Sequence, residues 1–380
     1  MTNTQNEIWL LLDSSSVGGI ETHILQLADG LNKNGVSVRV VFLQRYGIHP
    51  LFELLEKKGI NYNIVSAGNP ASFITKSPFL PLFTLMRKMK PQLIHTHGYK
   101  AGIFGRCIAK YLGIKSISTF HAGEKPKGKA AFYDWLDRHL SVLANHVYSV
   151  SPQVSARLSV DSELVENFVD TSDLTLSSGN NIAFVGRLSH EKGPDIYLRL
   201  ADLHPGKPFH FYGDGPLSKQ LMSTSTANVY YHGYQQDMNV VWDDVGLLVI
   251  TSRYEGLPMA AIEAMARGIP VLAFNVGALS SLIDNGVNGW LVDSGDVNGL
   301  SSCLEKWHQS TENEHSVMCD AAVATVKQRY SSTAIMPKYI KNYSQLIPDI
   351  IPKLLTNLAS NLGERSSLVT DVNSIVSDKE

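Results

Sequence analysis

Short apolar runs rich in β-branched residues alternate along this chain with longer stretches whose apolar positions recur at helical spacing. That alternation predicts βαβ units and parallel sheets, since a strand buried on both faces reads as a continuous apolar run while its crossover helix hides one stripe. In the first half the predicted strands are IWLLL from Ile8, SVRVVFL from Ser37, YNIV from Tyr62, LIHTH from Leu93, SISTF from Ser116 and HVYSV from His146. Helical stretches, among them residues 20–34 and 99–112, separate them. A polar passage, VENFVDTSDLTLSSGNN, then breaks the rhythm. It resumes with IAFVG from Ile182, FHFYG from Phe209, VYYHG from Val229, VGLLVI from Val245, PVLAF from Pro270 and GWLV from Gly289. The pattern predicts an α/β protein of two doubly wound domains joined near residues 166–180. Beyond Pro348, IIPKLLTNLASNL has helical spacing and leads into a polar tail. Either a helix packed on the body or a surface-binding amphipathic helix fits that spacing.

Composition narrows the class. The 380 residues are 44% hydrophobic and 18% charged, enough for two ordinary cores. A net charge of −2 gives no pointer to nucleic acid. Cys107, Cys303 and Cys319 form no CxxC pair, which argues against a disulfide framework or a zinc site. IWLLLD is too short for a signal-peptide core, and no run approaches the roughly 18 apolar residues of a membrane span. A reduced, soluble, intracellular protein is expected. One region departs from neutrality: from Lys76 to Lys129 stand eleven Lys or Arg and a single acid, Glu124. So segregated a charge suits an anionic surface or acceptor and predicts peripheral membrane work.

In doubly wound folds ligands lie beyond the carboxyl ends of the strands, so the strand-to-helix turns are where chemistry is expected. The first, DSSSVGGIETH, brings Gly18 and Gly19 to the start of a helix, where free amides favour an anion. It is not GxGxxG, and the second strand ends without the acid that would hold a dinucleotide ribose, so a nicotinamide enzyme is disfavoured. LIHTHG puts His95 and His97 on one side of a strand, and STFHAGEK puts His121 after the next. Two neighbouring strands ending in His point to one cleft, whereas zinc would need a third ligand and none declares itself. FVGRLSHEKGPD sets Arg187 and Lys192 in a turn that opens a helix, a pattern suited to a diphosphate. The competing reading of Lys192 is a local ion pair with Glu191 or Asp195. FYGDGP repeats the strand–Gly–turn pattern with Gly213 and Gly215.

RYEGLPMAAIEAMA poses the sharpest question. Glu263 sits in a helix apolar on every side, and an unpaired buried carboxylate costs several kcal/mol. Glu255 precedes that helix in a loop where Gly256 permits close backbone contact. Two turns of helix, ~12 Å at 1.5 Å per residue, separate the acids. That is about the span of a sugar and a ribose at the two ends of a diphosphate. A buried Glu263–Arg ion pair is the competing reading.

Taken in order, GGIETH, HTHG, STFH, NFVD, GRLSHEKG, GDGP, the E-x7-E pair and NGVNGWLV resemble the retaining GT-B glycosyltransferases of family four, over roughly residues 8–347. The resemblance implies two Rossmann-like domains facing across a cleft: residues 1–168 binding the acceptor and 169–335 the donor. It also implies a helix at 336–347 returning to the first domain, and an extension, partly disordered, at 348–380. It implies that Arg187 and Lys192 hold the donor diphosphate, Glu263 the ribose and Glu255 a hydroxyl of the transferred sugar. His121 would contact that sugar, and Gly18 and Gly19 would let the first loop approach the phosphates. Gly186, Gly213, Gly215, His232, Gly233, Gly256, Leu257 and Pro258 would complete the donor side, with His97 and Lys125 on the acceptor side. Two stretches differ from the family's pattern: GALSS, with Ala278 and Ser281 in place of Gly and Glu, and Ile250–Thr251–Ser252 where Pro-Ser is common.

By that resemblance the chain is expected to transfer a hexose, with retention, from a nucleoside-diphosphate sugar to a saccharide or lipid-linked acceptor in cell-surface polysaccharide or glycolipid synthesis. It would be cytoplasmic or peripheral on the inner face of the plasma membrane. Charge on the leaving diphosphate would be met by Arg187, Lys192 and helix amides without a metal or cofactor, and the chain has no D-x-D motif. A nucleotide-sugar epimerase or phosphorylase, or a non-catalytic nucleotide-sugar-binding protein, are the alternatives.

Overall fold

A computed structural model describes residues 7–14, 18–47, 49–66, 77–121 and 128–348, with the Lys129 side chain left out. Lys125 and the apolar stretch beyond Pro348 therefore lie outside the described residues.

All twelve anticipated strands form. The first sheet holds β1 (Ile8–Leu12), β2 (Val38–Gln44), β3 (Asn61–Ser66), β4 (Leu93–His97), β5 (Lys115–Phe120) and β6 (His146–Ser149). A two-residue strand, β7 (Glu163–Leu164), joins beside β6 and had no signal in the sequence. The second sheet holds β8 (Asn181–Val185), β9 (Phe209–Tyr212), β10 (Val229–Tyr231), β11 (Val245–Ile250), β12 (Val271–Phe274) and β13 (Gly289–Val292). Every pairing is parallel, in the orders β3-β2-β1-β4-β5-β6-β7 and β10-β9-β8-β11-β12-β13. Each sheet thus reverses its winding once, between β1 and β4 and between β8 and β11. The crevice at such a reversal is where a doubly wound sheet takes its ligand.

Alternation along β1 shows how one strand serves two layers. Ile8, Leu10 and Leu12 enter a core with α1 (Gly19–Lys33) and α2 (Pro50–Lys57), while Trp9 and Leu11 enter another with α3 (Phe79–Met89) and α4 (Tyr99–Leu112). The next helix, α5 (Lys129–His139), packs beside α4. The C-terminal helix Ser332–Leu346 belongs to the first core although it lies at the far end of the described chain, placing Ile335, Met336, Tyr339 and Tyr343 there. A Cβ at Gly30 of α1 would lie 2.6 Å from the Met336 sulfur, so these helices pack closely enough that any larger residue there would displace the Met336 side chain. The chain passes between the halves twice, and the crossings run side by side. Val169 N donates to Tyr330 O at 3.0 Å and Ser332 N to Val169 O at 2.8 Å.

Arg106, in the basic stretch, is not on the surface. It is 1% exposed and donates to Asp137 Oδ1 (2.6 Å), Asp137 O (2.7 Å), Ser118 Oγ (2.9 Å) and Leu140 O (3.1 Å). Removing one partner of such a buried pair costs about 3–5 kcal/mol, because the other charge is stranded. Arg106→Ala should therefore destabilise the N-terminal half to urea by that amount. A loss below about 1 kcal/mol would contradict the pairing.

Candidate functional site

The turns that close the two sheet reversals face the same cleft and share a device: helices whose first amides no side chain caps. α1 starts after Gly18, helix Pro194–Asp202 after Gly193 and helix Met259–Ala266 after Pro258, and none of the three N-caps makes a side-chain hydrogen bond. Free first-turn amides and the helix dipole favour an anion at α1 and at helix Met259–Ala266, whereas at Pro194–Asp202 the first residue has no N–H and Ile196 N already donates to Gly193 O at 3.0 Å. On α1, buried Glu21 already lies in the first turn.

The loop after β8 carries exposed Arg187 and part-buried Lys192. Lys192 Nζ is held neither by Glu191 nor by Asp195; it donates to both oxygens of Glu255, at 2.7 and 2.9 Å. Ser252 Oγ donates to Glu255 Oε1 at 2.7 Å, and the acid's side chain is 8% exposed. Asp195 is taken by Arg253, at 2.6 and 2.9 Å. The loop's path is fixed by Gly193 (φ 64°), where a Cβ would lie 2.1 Å from Thr251 O. Ser252, in the stretch Ile250–Thr251–Ser252 that differs from the family's pattern, is thus a direct partner of Glu255.

Glu263 is the fifth residue of helix Met259–Ala266 and keeps a little accessible surface. Its carboxylate accepts from the Trp242 indole N–H at 3.3 Å. Burial pushes its pKa up, opposed by the Arg267 charge. Arg267 makes its hydrogen bonds elsewhere, to the Glu263 carbonyl (3.1 Å) and Asn239 (2.8 Å). The ion-pair reading of Glu263 is therefore not what forms. An indole N–H meets the carboxylate instead, and a carboxylate's several lone pairs leave acceptor capacity for a hydroxylated ligand.

Beside β8 the glycines of FVG and GDGP interlock. Gly186 N donates to Tyr212 O at 3.0 Å and Gly213 N to Gly233 O at 2.8 Å. A Cβ at Gly213 (φ 138°) would lie 1.9 Å from Gly186 O, and one at Gly215 2.4 Å from Leu188 O. His232 stacks on Tyr212 at 4.4 Å and 10° and shares a 2.9 Å hydrogen bond with His210. At GALSS, Gly277 (φ 61°) packs on the Glu255 carbonyl and Ala278 N donates to Gly256 O at 2.9 Å. Ser281 Oγ turns back to Ala278 O at 2.7 Å.

Across the cleft His97 and His121 do meet, Nδ1 to Nε2 at 3.0 Å. His95 does not join them in an open site; it is buried between Tyr343 OH (2.6 Å) and Thr119 Oγ1 (2.7 Å). The third imidazole is His23, from GGIETH on α1, which the sequence did not single out. Nitrogens of His23, His97 and His121 lie within 4.8 Å of one another. His97 meets His121 through Nδ1 and His23 meets Asn167 through Nδ1, while the buried His97 Nε2 has no hydrogen-bond partner. Asn167 Nδ2 donates to Leu257 O at 2.6 Å and its Oδ1 faces His23 Nδ1 at 3.1 Å. A carbonyl only accepts, so the amide orientation is fixed and His23 carries its proton on Nδ1. This bridge ties the imidazole cluster of one half to the Glu255–Pro258 loop of the other. A signal existed for both residues, in the His of GGIETH and the Asn of NFVD, but nothing local tells that they touch.

A cavity of about 350 Å³ opens beside His121, lined by Lys100, Tyr133, Asp134, Arg138 and Arg157 among others. Its charges are paired: Lys100 with Asp13 (2.8 Å), and Arg138 and Arg157 with Asp134 (3.0 Å each).

The family described as "Glycosyltransferase Family 4" matches residues 17–173 and "Glycosyl transferases group 1" residues 179–310, so the chain belongs to the glycosyltransferases of this family. The UDP-Gal:alpha-D-GlcNAc-diphosphoundecaprenol alpha-1,3-galactosyltransferase of Escherichia coli is 25% identical over 59% of this chain and 68% of its own length. The O-antigen biosynthesis glycosyltransferase WbnH of Escherichia coli is 25% identical over 67% of this chain and 79% of its own. Among solved structures, HepE of Anabaena in complex with UDP-glucose superposes with a TM-score of 0.76 at 18% identity, over 89% of this chain and 99% of that one. The fold is GT-B, and the chain is a transferase.

Burial holds His23 down to about pKa 4, with Asn167 opposing, and depresses His97 and His121 well below the ordinary value by burial and by their neighbouring rings. These imidazoles are neutral at pH 7. Between pH 6.5 and about 4 the unfolded chain binds a proton at His23 that the folded chain refuses, so stability falls as pH falls through that window. The limiting slope is about 1.4 kcal/mol per pH unit for one group. A Tm series over that range should drop toward acid, and less steeply in His23→Gln. Identical slopes in the two proteins would contradict the assignment.

Proposed function

We propose that the chain transfers a hexose-type unit, with retention at the anomeric carbon, from a nucleoside-diphosphate sugar to a lipid-linked saccharide. The observation that carries this is the Lys192–Glu255 pair, set between two uncapped helix N-termini with Glu263 further along the same helix. Residues 169–335 are read as the donor domain and 1–168 as the acceptor domain. The diphosphate lies on Arg187, Lys192 and the amides after Gly256. As the glycosidic bond lengthens, negative charge gathers on the diphosphate, and these preoriented cations and amides stabilise it with no metal required. Lys192 then exchanges part of its contact with Glu255 for phosphate, freeing that carboxylate to accept from a sugar hydroxyl. Glu263 accepts from the ribose. Gly18 and Gly19 border the phosphates from the opposite side, while Tyr212, His232 and Gly233 border the base.

No carboxylate stands as a covalent nucleophile in this reading, so the acceptor attacks from the face the diphosphate leaves. The acceptor hydroxyl passes its proton to that departing phosphate. His121, neutral and held by His97, contacts the transferred sugar near its reacting face, with His97 and Lys125 assigned to the acceptor side. Closing the cleft about Asn167 excludes the water that would hydrolyse the donor. The donor of the galactosyltransferase and the ligand of HepE both carry UDP, which supports uridine as the base to try first. The diphosphoundecaprenol acceptor of the former supports a lipid-linked acceptor and work at the inner face of the plasma membrane. Among the described residues no helix is long and apolar enough to cross a membrane.

A charge-assisted hydrogen bond is worth about 1.5–3 kcal/mol, so Glu263→Ala should lower kcat/KM for the donor roughly ten- to a hundred-fold. Arg187→Ala should weaken donor use as well. Near-normal turnover in either would sink the donor assignments. A thermal-shift panel of UDP-, GDP- and ADP-sugars reads the base, since a ligand at a hundred times its Kd stabilises by about 2.7 kcal/mol. Loss of transfer in EDTA with recovery in manganese would overturn the metal-free mechanism.

A further inference from the structure

The α3–α4–α5 layer has a surface unlike the opposite layer. From residue 77 to residue 121 the chain has no Asp or Glu. Of the cations in this span, Lys100 and Arg106 are used internally, on Asp13 and Asp137. Arg87, Lys88, Lys90, Lys110 and Lys115 are exposed, and none is in an ion pair among the described residues. The two acids of α5, Asp134 and Asp137, are buried and paired with arginines. On α1 and α2 and just after α2, by contrast, Lys33, Lys57 and Lys58 all have carboxylate partners. The cationic layer also exposes large apolar side chains: Leu80 at 69%, Tyr111 at 80%, Phe132 at 59% and Trp135 at 48%. Phe132 and Trp135 stack on one another on the outer side of α5, while Ala130, Tyr133, Asp134 and Asp137 of the same helix line the cavity beside His121.

We propose that the outer face of α3, α4 and α5 docks on an anionic lipid surface and so presents the cavity beside His121 to the leaflet. Unpaired cations supply attraction to acidic headgroups, and aromatic and aliphatic side chains enter the interface, where Trp and Tyr are favoured. The proposal rests on the reading that the acceptor is lipid-linked. It names the face that meets the lipid, which the number of basic residues alone did not, since that number included the buried Arg106 and the paired Lys100.

Sedimentation with vesicles of neutral phosphatidylcholine, with and without phosphatidylglycerol at about a third of the lipid, tests it on the full chain. Binding is expected only with the anionic lipid and should weaken steeply in high salt. Each cation near an acidic leaflet is worth about fivefold in partition, so Lys88→Gln with Lys110→Gln should lower it roughly 25-fold. Leu80→Ser with Trp135→Ser should lower it as well, with unchanged melting and unchanged transfer to a water-soluble saccharide acceptor. Those controls separate the docking face from the catalytic reading, which loss of transfer to every acceptor would test instead. Equal binding to neutral vesicles, or variants that bind like the wild type, would overturn the proposal. So would variants that split a dimer in sedimentation velocity while still binding vesicles, which would make this face a contact between two copies.

Discussion

The Lys192–Glu255 ion pair is the contact on which the crevice of the second sheet is built. It joins the turns after β8 and β11, the two strands between which the second sheet reverses its winding. Gly193 fits against Thr251 O, Ser252 holds the acid, and Arg253 grips Asp195 and the carbonyl of His190. Two strand-to-helix turns 63 residues apart are thereby locked so that their helix N-termini address the same space. In the proposed reading, a ligand that presents a phosphate to Lys192 and a hydroxyl to Glu255 replaces the contact each makes with the other.

A second constraint joins the halves. Asn167, at the crossing between them, holds His23 with its carbonyl and the Leu257 carbonyl with its amide. Because Leu257 follows Gly256 in the loop after β11, the imidazole cluster and Glu255 are set relative to one another through one side chain. The crossing is reinforced by the Val169–Ser331 bridge and by Gln26, which accepts from Asp170 N.

Strands were legible because parallel strands are buried on both faces and cannot hide among polar residues. Only β7, two residues at an edge, carried too little apolar sequence to read. The turns that hold the site were legible too, since Gly-rich stretches after strands have few other uses. Partnerships were not. Lys192 has two acids within three residues, yet its partner is Glu255; Glu263 has Arg267 one turn away, yet its carboxylate is met by Trp242. Local spacing cannot decide such choices, because the fold brings a distant group closer than the chain does. His23 escaped notice for the same reason: it becomes one of three imidazoles only when α1 packs beside β4 and β5.

Transfer with retention from a nucleoside-diphosphate sugar has a direct test. The protein is incubated with an α-linked donor and a lipid-linked saccharide, and the anomeric proton of the product is read by NMR. Free nucleoside diphosphate equal to the sugar transferred, and an α-linkage in the product, are expected. A β-linkage, or a bound donor that transfers no sugar to any acceptor, would contradict the proposed reaction.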